Sequence, residues 1–127
     1  MTPAEALRQL HKGAAAALGA ASPEAPARLD EPGPNQPCGG LGGNEDTKIK
    51  AGVTGRSGRP APEPKAAVDA ARGKLEELGY KPGETFDMGG ARQFQFTGPA
   101  GGGTFKIGTD GLAAISAETY CLDNPDR

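Results

Sequence analysis

Glycine and proline interrupt this chain so often that few segments can form regular structure. Among 127 residues there are 21 glycines and 12 prolines, about a quarter of the chain, close to the level typical of low-complexity sequences. Proline removes a backbone donor, and glycine loses the most conformational freedom on folding. Large apolar side chains are also scarce, with 4 Phe, 2 Tyr and no Trp. Any hydrophobic core must therefore be small.

Charge and hydropathy narrow the class of protein. The chain has 14 basic and 16 acidic side chains and a net charge of −2, whereas a nucleic-acid-binding domain usually has a dense basic face. No apolar run approaches the roughly 20 residues of a membrane span. The N-terminal segment MTPAEALRQLHKGAAAALGA is interrupted by charges and is not a secretory signal. We therefore expect either a cytoplasmic protein or one whose signal peptide has been removed.

The two cysteines bear on that choice. Cys38 and Cys121 do not form a C-x-x-C motif, so a redox or zinc motif is poorly supported. A disulfide between them would close a loop of about 83 residues and stabilise the fold by about 4 kcal/mol. Such a link matters most in a small domain with a thin core. We predict this disulfide and an extracytoplasmic location; two free thiols are the alternative.

Two segments have helical periodicity. Residues 2–21 begin with Thr2, Pro3 and Glu5, which form a capping box. Their apolar stripe is mainly alanine, so this helix should dock weakly or against a closely approaching surface. Residues 64–78 carry apolar residues at helical spacing and are followed by Gly79 as a C-cap.

The segments between and after these helices favour loops and strands. The proline-rich residues 22–46 are expected to be an extended strap held by Cys38. Residues 47–54 alternate as in a strand, and residues 55–63 read as a linker. From residue 84 the pattern has a period of two, with turns at Gly89-Gly90 and Asp110-Gly111.

The resulting order, α-β-α-β-β-β-β, predicts an α+β fold. It would be a two-layer sandwich in which helices cover a mainly antiparallel β-meander. We place the α+β domain at residues 47–123, after an N-terminal helix and strap at 1–46 and before a tail at 124–127. The predicted core consists of Val53, Val68, Ala71, Leu75, Leu78, Phe86, Phe94, Phe96, Phe105, Ile107 and Ile115.

No motif identifies a metal, cofactor or phosphate site. His11 has no further ligand at suitable spacing. The glycine runs at 38–44 and 98–104 lack the Gly-Lys pair of a phosphate loop. Residues 44–46 bring together oxygen ligands, but consecutively and not at calcium-loop spacing. We therefore predict no cofactor and no metal.

A few polar residues are the candidates for acid–base chemistry and for partner binding. Asp87, Asp110 and Glu118 have no spacing that selects a catalytic pair, so we name no catalytic residue. The candidate partner contacts are the basic Arg56 and Arg59 in the linker and Tyr120 as an exposed aromatic anchor. We expect a monomer whose partner is another protein or a cell-envelope component, not nucleic acid.

The C-terminal half also resembles a known class. LEELGYKPGETF and QFQFTGPAGGGTFKIGTDGLAAISAETYC are similar to segments of small secreted proteins and lipoproteins of high-GC actinobacteria, over about residues 64–122. The matching residues are Leu75, Gly79, Tyr80, Asp110, Gly111, Thr119 and Cys121. The resemblance implies a processed, extracytoplasmic protein of a class whose functions are mostly unassigned. The signal and lipid-anchor cysteine of lipoproteins do not occur among these 127 residues.

Three functions follow as hypotheses. The first, a non-enzymatic extracytoplasmic binding or accessory domain, is favoured by the predicted disulfide and the lack of a recognisable catalytic set. The second is a small inhibitor or immunity-type protein that inserts residues 55–63 or 98–103 into an enzyme cleft. The third is an enzyme with a pocket assembled from distant strands.

Overall fold

Two helices and ten strands account for most of the described chain. The computed structural model describes residues 1–24 and 27–127, so Ala25 and Pro26 of the predicted strap lie outside the described residues. The helices are α1 (Pro3–Ala21) and α2 (Pro64–Glu77). The strands are β1 (Ala27–Leu29), β2 (Gln36–Gly39), β3 (Glu45–Lys50), β4 (Gly52–Ser57), β5 (Lys81–Pro82), β6 (Phe86–Met88), β7 (Ala91–Thr97), β8 (Gly101–Ile107), β9 (Ala113–Thr119) and β10 (Leu122–Asp123).

Helix α1 begins where the sequence predicts. The Thr2 hydroxyl accepts a hydrogen bond from the Glu5 backbone N–H at 3.2 Å, and the Glu5 carboxylate accepts one from the Thr2 N–H at 3.4 Å. This capping box satisfies two of the unpaired donors at the helix start. The inner side of α1 is buried and consists mainly of small residues: Ala6, Leu10, Gly13, Ala14, Ala17, Leu18 and Ala21. Because these side chains are short, α1 packs closely on α2, β4 and β9.

The main sheet is antiparallel and confirms the α+β class. Its seven strands run in the order β1-β4-β9-β8-β7-β5, and β6 also pairs with β7. Gly89 and Gly90, with φ of 61° and 86°, form the β6–β7 turn, and Gly111, with φ of 81°, lies in the β8–β9 turn. These left-handed conformations favour glycine. Both helices cover one face of this sheet, so the two-layer arrangement is the predicted one.

The core lies between that face and the helices. The rings of Phe94 and Phe105 stack with their centroids 5.4 Å apart, and both side chains are fully buried. Two predicted core residues are wrong: Phe86 and Leu78 are 40% and 36% exposed. Phe86 lies on a three-residue edge strand, and Leu78 lies beyond the last turn of α2. Period alone placed these two residues inside. The register sets Phe86 opposite Gln93, on the face away from the helices, and Leu78 lies at the C-terminal cap of α2.

Tyr80 fills a gap between α1 and the β7–β8 turn. Its ring packs edge-on against Phe96, with centroids 5.8 Å apart, and its hydroxyl donates to the Gln9 carbonyl at 3.3 Å. A methyl group added at Gly98 would collide with the ring, so this position requires glycine. One added at Gly13 would lie 3.0 Å from the ring, which would have to shift slightly. Burial raises the pKa of Tyr80 above its ordinary value, and the neighbouring Tyr120 adds to the shift.

Strand pairing extends regular structure into segments predicted as loop. Strand β4 continues to Ser57, so residues 55–57 of the predicted linker 55–63 are strand, and the expectation of a linker there is wrong. Gly55 pairs with Leu29 on one side and with Ile115 on the other. These partners are distant in sequence, so no local pattern shows them. The predicted strap at 22–46 likewise contains β1 and β2.

A second, three-stranded sheet has the order β10-β3-β2. Strands β3 and β4 are separated by Ala51 alone. The Ala51 N–H donates to the buried Thr119 hydroxyl at 2.9 Å, and the Thr119 N–H donates to the Ala51 carbonyl at 2.9 Å. One long segment thus passes from the small sheet into the main sheet. In residues 1–24 and 27–127, no helix is long and apolar enough to cross a membrane.

Candidate functional site

Strands β2 and β3 form a hairpin, residues 36–50, which we call the arm. Its strands make their main contacts with each other and with β10. Gly39 pairs with Glu45, and the five intervening residues, 40–44, form the tip. Gly40 and Gly43 have φ of 73° and 70°, a region that favours glycine. The Gly43 N–H donates to the Gly40 carbonyl at 3.2 Å, so the tip is a folded turn and not an open loop.

Leu41 projects from this turn with its side chain in solvent. Its relative exposure is 110%, compared with 64% for Met88, the next most exposed of the large apolar residues at described positions. Exposed apolar residues are common on proteins one at a time. The position of this one is what matters, because it is the only large apolar side chain of a tip otherwise made of glycine and asparagine.

A disulfide fixes the base of the arm to the end of β9. Cys38 and Cys121 are bonded, with their Cα atoms 6.1 Å apart, which confirms the predicted pair. Cys38 lies in β2, and Cys121 lies in the short break between β9 and β10. The bond therefore joins the outer strand of the small sheet to the segment that leaves the main sheet.

The C-terminal residues brace the other strand of the arm. Leu122 pairs with Ile49 in the β10–β3 ladder. Asn124 donates from its backbone N–H to the Thr47 carbonyl and from its side chain to the Asp46 carbonyl, each at 2.9 Å. Residues 124–127, predicted as a tail, thus contact the arm, and Arg127 pairs with Asp46 at 3.1 Å. The arm is held along both strands, so the tip is presented in one orientation.

The three predicted partner contacts lie in different places. Arg56 is exposed on β4, and Arg59 is exposed just after the end of that strand. Tyr120 is 46% exposed and donates its hydroxyl to the Gly98 carbonyl at 2.7 Å. The register pairs Arg56 with Ala114, six residues before Tyr120, so about 20 Å of strand separates the tyrosine from the arginine. Tyr120 and Arg56 do not form one surface.

The residues considered for metal binding, His11 and residues 44–46, lie in different parts of the fold. His11 is half-buried on α1 and lines a groove of about 440 Å³ with Leu7, Arg8, Lys12 and Pro32. Residues 44–46 lie at the end of the arm. Across residues 1–24 and 27–127, no three or more His, Cys, Asp or Glu side chains are grouped to hold a metal ion.

The three carboxylates considered for acid–base chemistry each have their own partner. Asp87 pairs with Arg92 at 3.8 Å, Asp110 accepts the Leu112 N–H at 3.0 Å in the β8–β9 turn, and Glu118 pairs with Lys50 at 3.1 Å. The structure gives them separate environments and does not gather them in one pocket.

Comparison with known proteins adds no relative: no family model, curated protein or solved structure matches this chain. The site is therefore defined by geometry alone. Sequence reasoning missed Leu41, because a lone leucine between glycine pairs belongs to no stripe. The sequence did contain one indication. Leu41 lies between two pairs of glycines, which favour a turn, and Cys38 just before them is the residue that the predicted disulfide would anchor.

Proposed function

We propose that the protein is a non-enzymatic binding protein that acts outside the cytoplasm and contacts a partner protein with the tip of its arm. The observation that carries this proposal is the fully exposed Leu41 on a hairpin braced by a disulfide and by the C-terminal residues. The compartment is supported by the disulfide, since such bonds persist in oxidising environments.

The energetics favour a tip of this kind as a binding anchor. Burying one leucine side chain contributes about 1.5–3 kcal/mol, which corresponds to roughly tenfold to a hundredfold in affinity. Ordering a loose loop on binding would offset much of that gain. Here the order exists before binding, because Gly43 is hydrogen-bonded to Gly40 and the arm is anchored at Cys38. An apolar pocket on the partner is the complementary surface.

The tip also bears on the inhibitor alternative. A cleft that takes an extended peptide needs a strand-like segment, and residues 40–43 are folded into a turn. Of the two loops first considered, residues 55–57 belong to β4 and residues 101–103 to β8. If the partner is an enzyme, the folded tip would inhibit it by blocking the entrance to its active site and not by mimicking an extended substrate.

Photo-crosslinking tests the contact directly. A benzophenone amino acid is placed at position 41 or, as the matched exposed control, at position 88, and each protein is irradiated with the native extracellular or envelope fraction. We expect a discrete crosslinked protein from position 41 and none from position 88. Unlabelled wild type and Met88→Asp should compete for it, whereas Leu41→Asp should not. Leu41→Asp competing as well as wild type would overturn the proposal.

The compartment has its own test. Mass spectrometry of the native protein, alkylated before any reduction, should find both cysteines protected. Two alkylated thiols in that sample would contradict an extracytoplasmic site of action, even if the arm binds a partner.

A further inference from the structure

The face of the main sheet that the helices leave uncovered carries an ordered set of charges. In the ladder, Arg28 lies opposite Arg56, Arg56 opposite Ala114, and Ala114 opposite Lys106. All three basic side chains are exposed. The residue that follows each of them, Leu29, Ser57 or Ile107, is buried or packs on the core, so by alternation the basic side chains point away from the core. We call Arg28, Arg56 and Lys106 the cation row. Neighbouring strands are about 5 Å apart, so its charges lie at intervals of roughly 5 and 10 Å.

These charges lack partners in the described chain. Within residues 1–24 and 27–127, none of the three forms an ion pair, although the protein has 16 acidic side chains. Two carboxylates beside these charges have other partners: Asp30 accepts the hydroxyl of its neighbour Thr54 at 2.8 Å, and Glu118 pairs with Lys50 at 3.1 Å. Like charges directly opposite in a sheet are destabilising. A fold retains such a conflict most readily where function uses it.

A second row of outward residues runs beside the first. Each of its members on β4, β9 and β8 is two residues along the strand from a member of the first ladder row. The register aligns Thr54 with Ser116, Ser116 with Thr104, and Thr104 with Gln95. We call these four residues the polar row. Hydroxyl and amide groups both donate and accept hydrogen bonds. The face therefore offers a line of positive charge next to a line of hydroxyl and amide groups, of which the Thr54 hydroxyl already donates to Asp30.

We propose that this face binds an acidic polysaccharide, a linear sugar chain with carboxylate or phosphate groups. Its anions would lie along the cation row and its hydroxyls along the polar row. This site goes beyond the proposed arm contact, because it uses other strands and a different class of partner. It also gives Arg56, first considered as a partner contact, two basic neighbours that the sequence did not reveal.

Other anionic partners fit less well. Single-stranded nucleic acid is usually bound by stacking successive bases on several aromatic side chains. The outward positions of β4, β9, β8 and β7 carry none, and the register adds Phe86, a single ring on the edge strand β6, four strands from Arg56. Attachment to a membrane surface needs apolar side chains that enter the lipid. The two rows and Ala114 contain no large apolar side chain, and the exposed Phe86 and Met88 lie apart from Arg28 and Arg56, on the edge strand β6 at the other side of the sheet.

Binding of fluorescent polygalacturonate tests the proposal, with uncharged dextran as the polymer control. We expect binding to polygalacturonate alone, weakening steeply between about 50 and about 200 mM NaCl. Arg28→Gln/Arg56→Gln should weaken it at least about tenfold, because charge-assisted hydrogen bonds are lost. The control Arg8→Gln/Lys12→Gln makes the same change in net charge on α1 and should bind as wild type does. Equal loss in both variants would overturn the proposal.

Two further binding comparisons distinguish a site for an acidic polysaccharide from a general attraction for anions. Thr104→Val/Ser116→Ala should weaken polygalacturonate binding and leave the binding of polyphosphate unchanged. Tighter binding to single-stranded DNA or to phosphatidylglycerol vesicles than to polygalacturonate would refute the assignment. Thermal unfolding checks that the variants are folded. The melting temperature of Arg28→Gln/Arg56→Gln should be equal to or higher than that of wild type, because the repulsion between the two arginines is removed. Leu41→Asp should bind the polymer normally, which separates this site from the arm.

Discussion

Removing the disulfide is the perturbation whose effect can be worked out most directly. The bond spans a sequence separation of 83, and the chain-entropy relation then gives about 4.5 kcal/mol at 25 °C. Cys121 is exposed and Cys38 only half-buried, so replacing both with serine loses little buried apolar surface. We therefore expect Cys38→Ser/Cys121→Ser to lower the free energy of unfolding by about 4 kcal/mol, a large part of the 5–15 kcal/mol typical of a domain.

Urea unfolding followed by circular dichroism measures this loss. With a slope of roughly 1.5 kcal/mol per molar urea, the midpoint should fall by roughly 3 M. Wild type in reductant is the matched control and should unfold with the double variant, which itself should not respond to reductant. A loss below about 1 kcal/mol would refute the reasoning, because the unfolded chain would then gain almost no freedom when the loop is opened.

Four further substitutions test individual contacts. Because burial holds the pKa of Tyr80 above its usual value, the unfolded state releases this proton first as the pH rises above about 10. The stability that the neutral form contributes is then lost progressively up to the folded-state pKa, and Tyr80→Phe should remove this alkaline dependence. Gly98→Ala should destabilise the fold by about 1–3 kcal/mol, because its methyl group would collide with Tyr80. Gly19→Ala, with nothing within 4 Å of the added methyl, should stabilise it by up to about 1 kcal/mol. Thr119→Val should cost about 1–3 kcal/mol, because the buried Ala51 N–H loses its acceptor.

Each of these has a measurement that decides it. For Tyr80→Phe, unfolding free energies at neutral and alkaline pH are compared, and an alkaline slope equal to that of wild type would contradict the assignment. For the glycine pair, thermal unfolding should shift in opposite directions, and the same direction for both would count against the packing argument. For Thr119→Val, unchanged stability would show that the hydroxyl is not the acceptor that the Ala51 N–H requires.

Local signals in the sequence determined the parts of the fold that depend on near neighbours. The capping residues Thr2 and Glu5 begin α1, and the turns at Gly89-Gly90 and Asp110-Gly111 join strands as predicted. The alternation of apolar and polar residues predicted which side chains of β4, β7, β8 and β9 face the core. The disulfide was also predicted correctly, because a chain with two cysteines allows only one intramolecular bond.

What the sequence did not show depends on residues brought together from far apart. Arg28 meets Arg56 only because β1 pairs with β4, and β1 lies in a segment whose prolines indicate loop. Phe86 is partly exposed because β6 pairs with β7 in a register that sets it opposite Gln93, on the face away from the helices, although its period matches that of buried residues.

The same distinction holds for the two candidate surfaces. The chain by itself determined the helices, the turns and a cysteine link, because these follow from backbone preferences over a few residues. Tertiary structure alone decided that Leu41 projects from a braced arm and that three cations align on an uncovered sheet face. Exposure and alignment are properties of which segments pack together, and that depends on pairing between strands distant in sequence, which no short window contains.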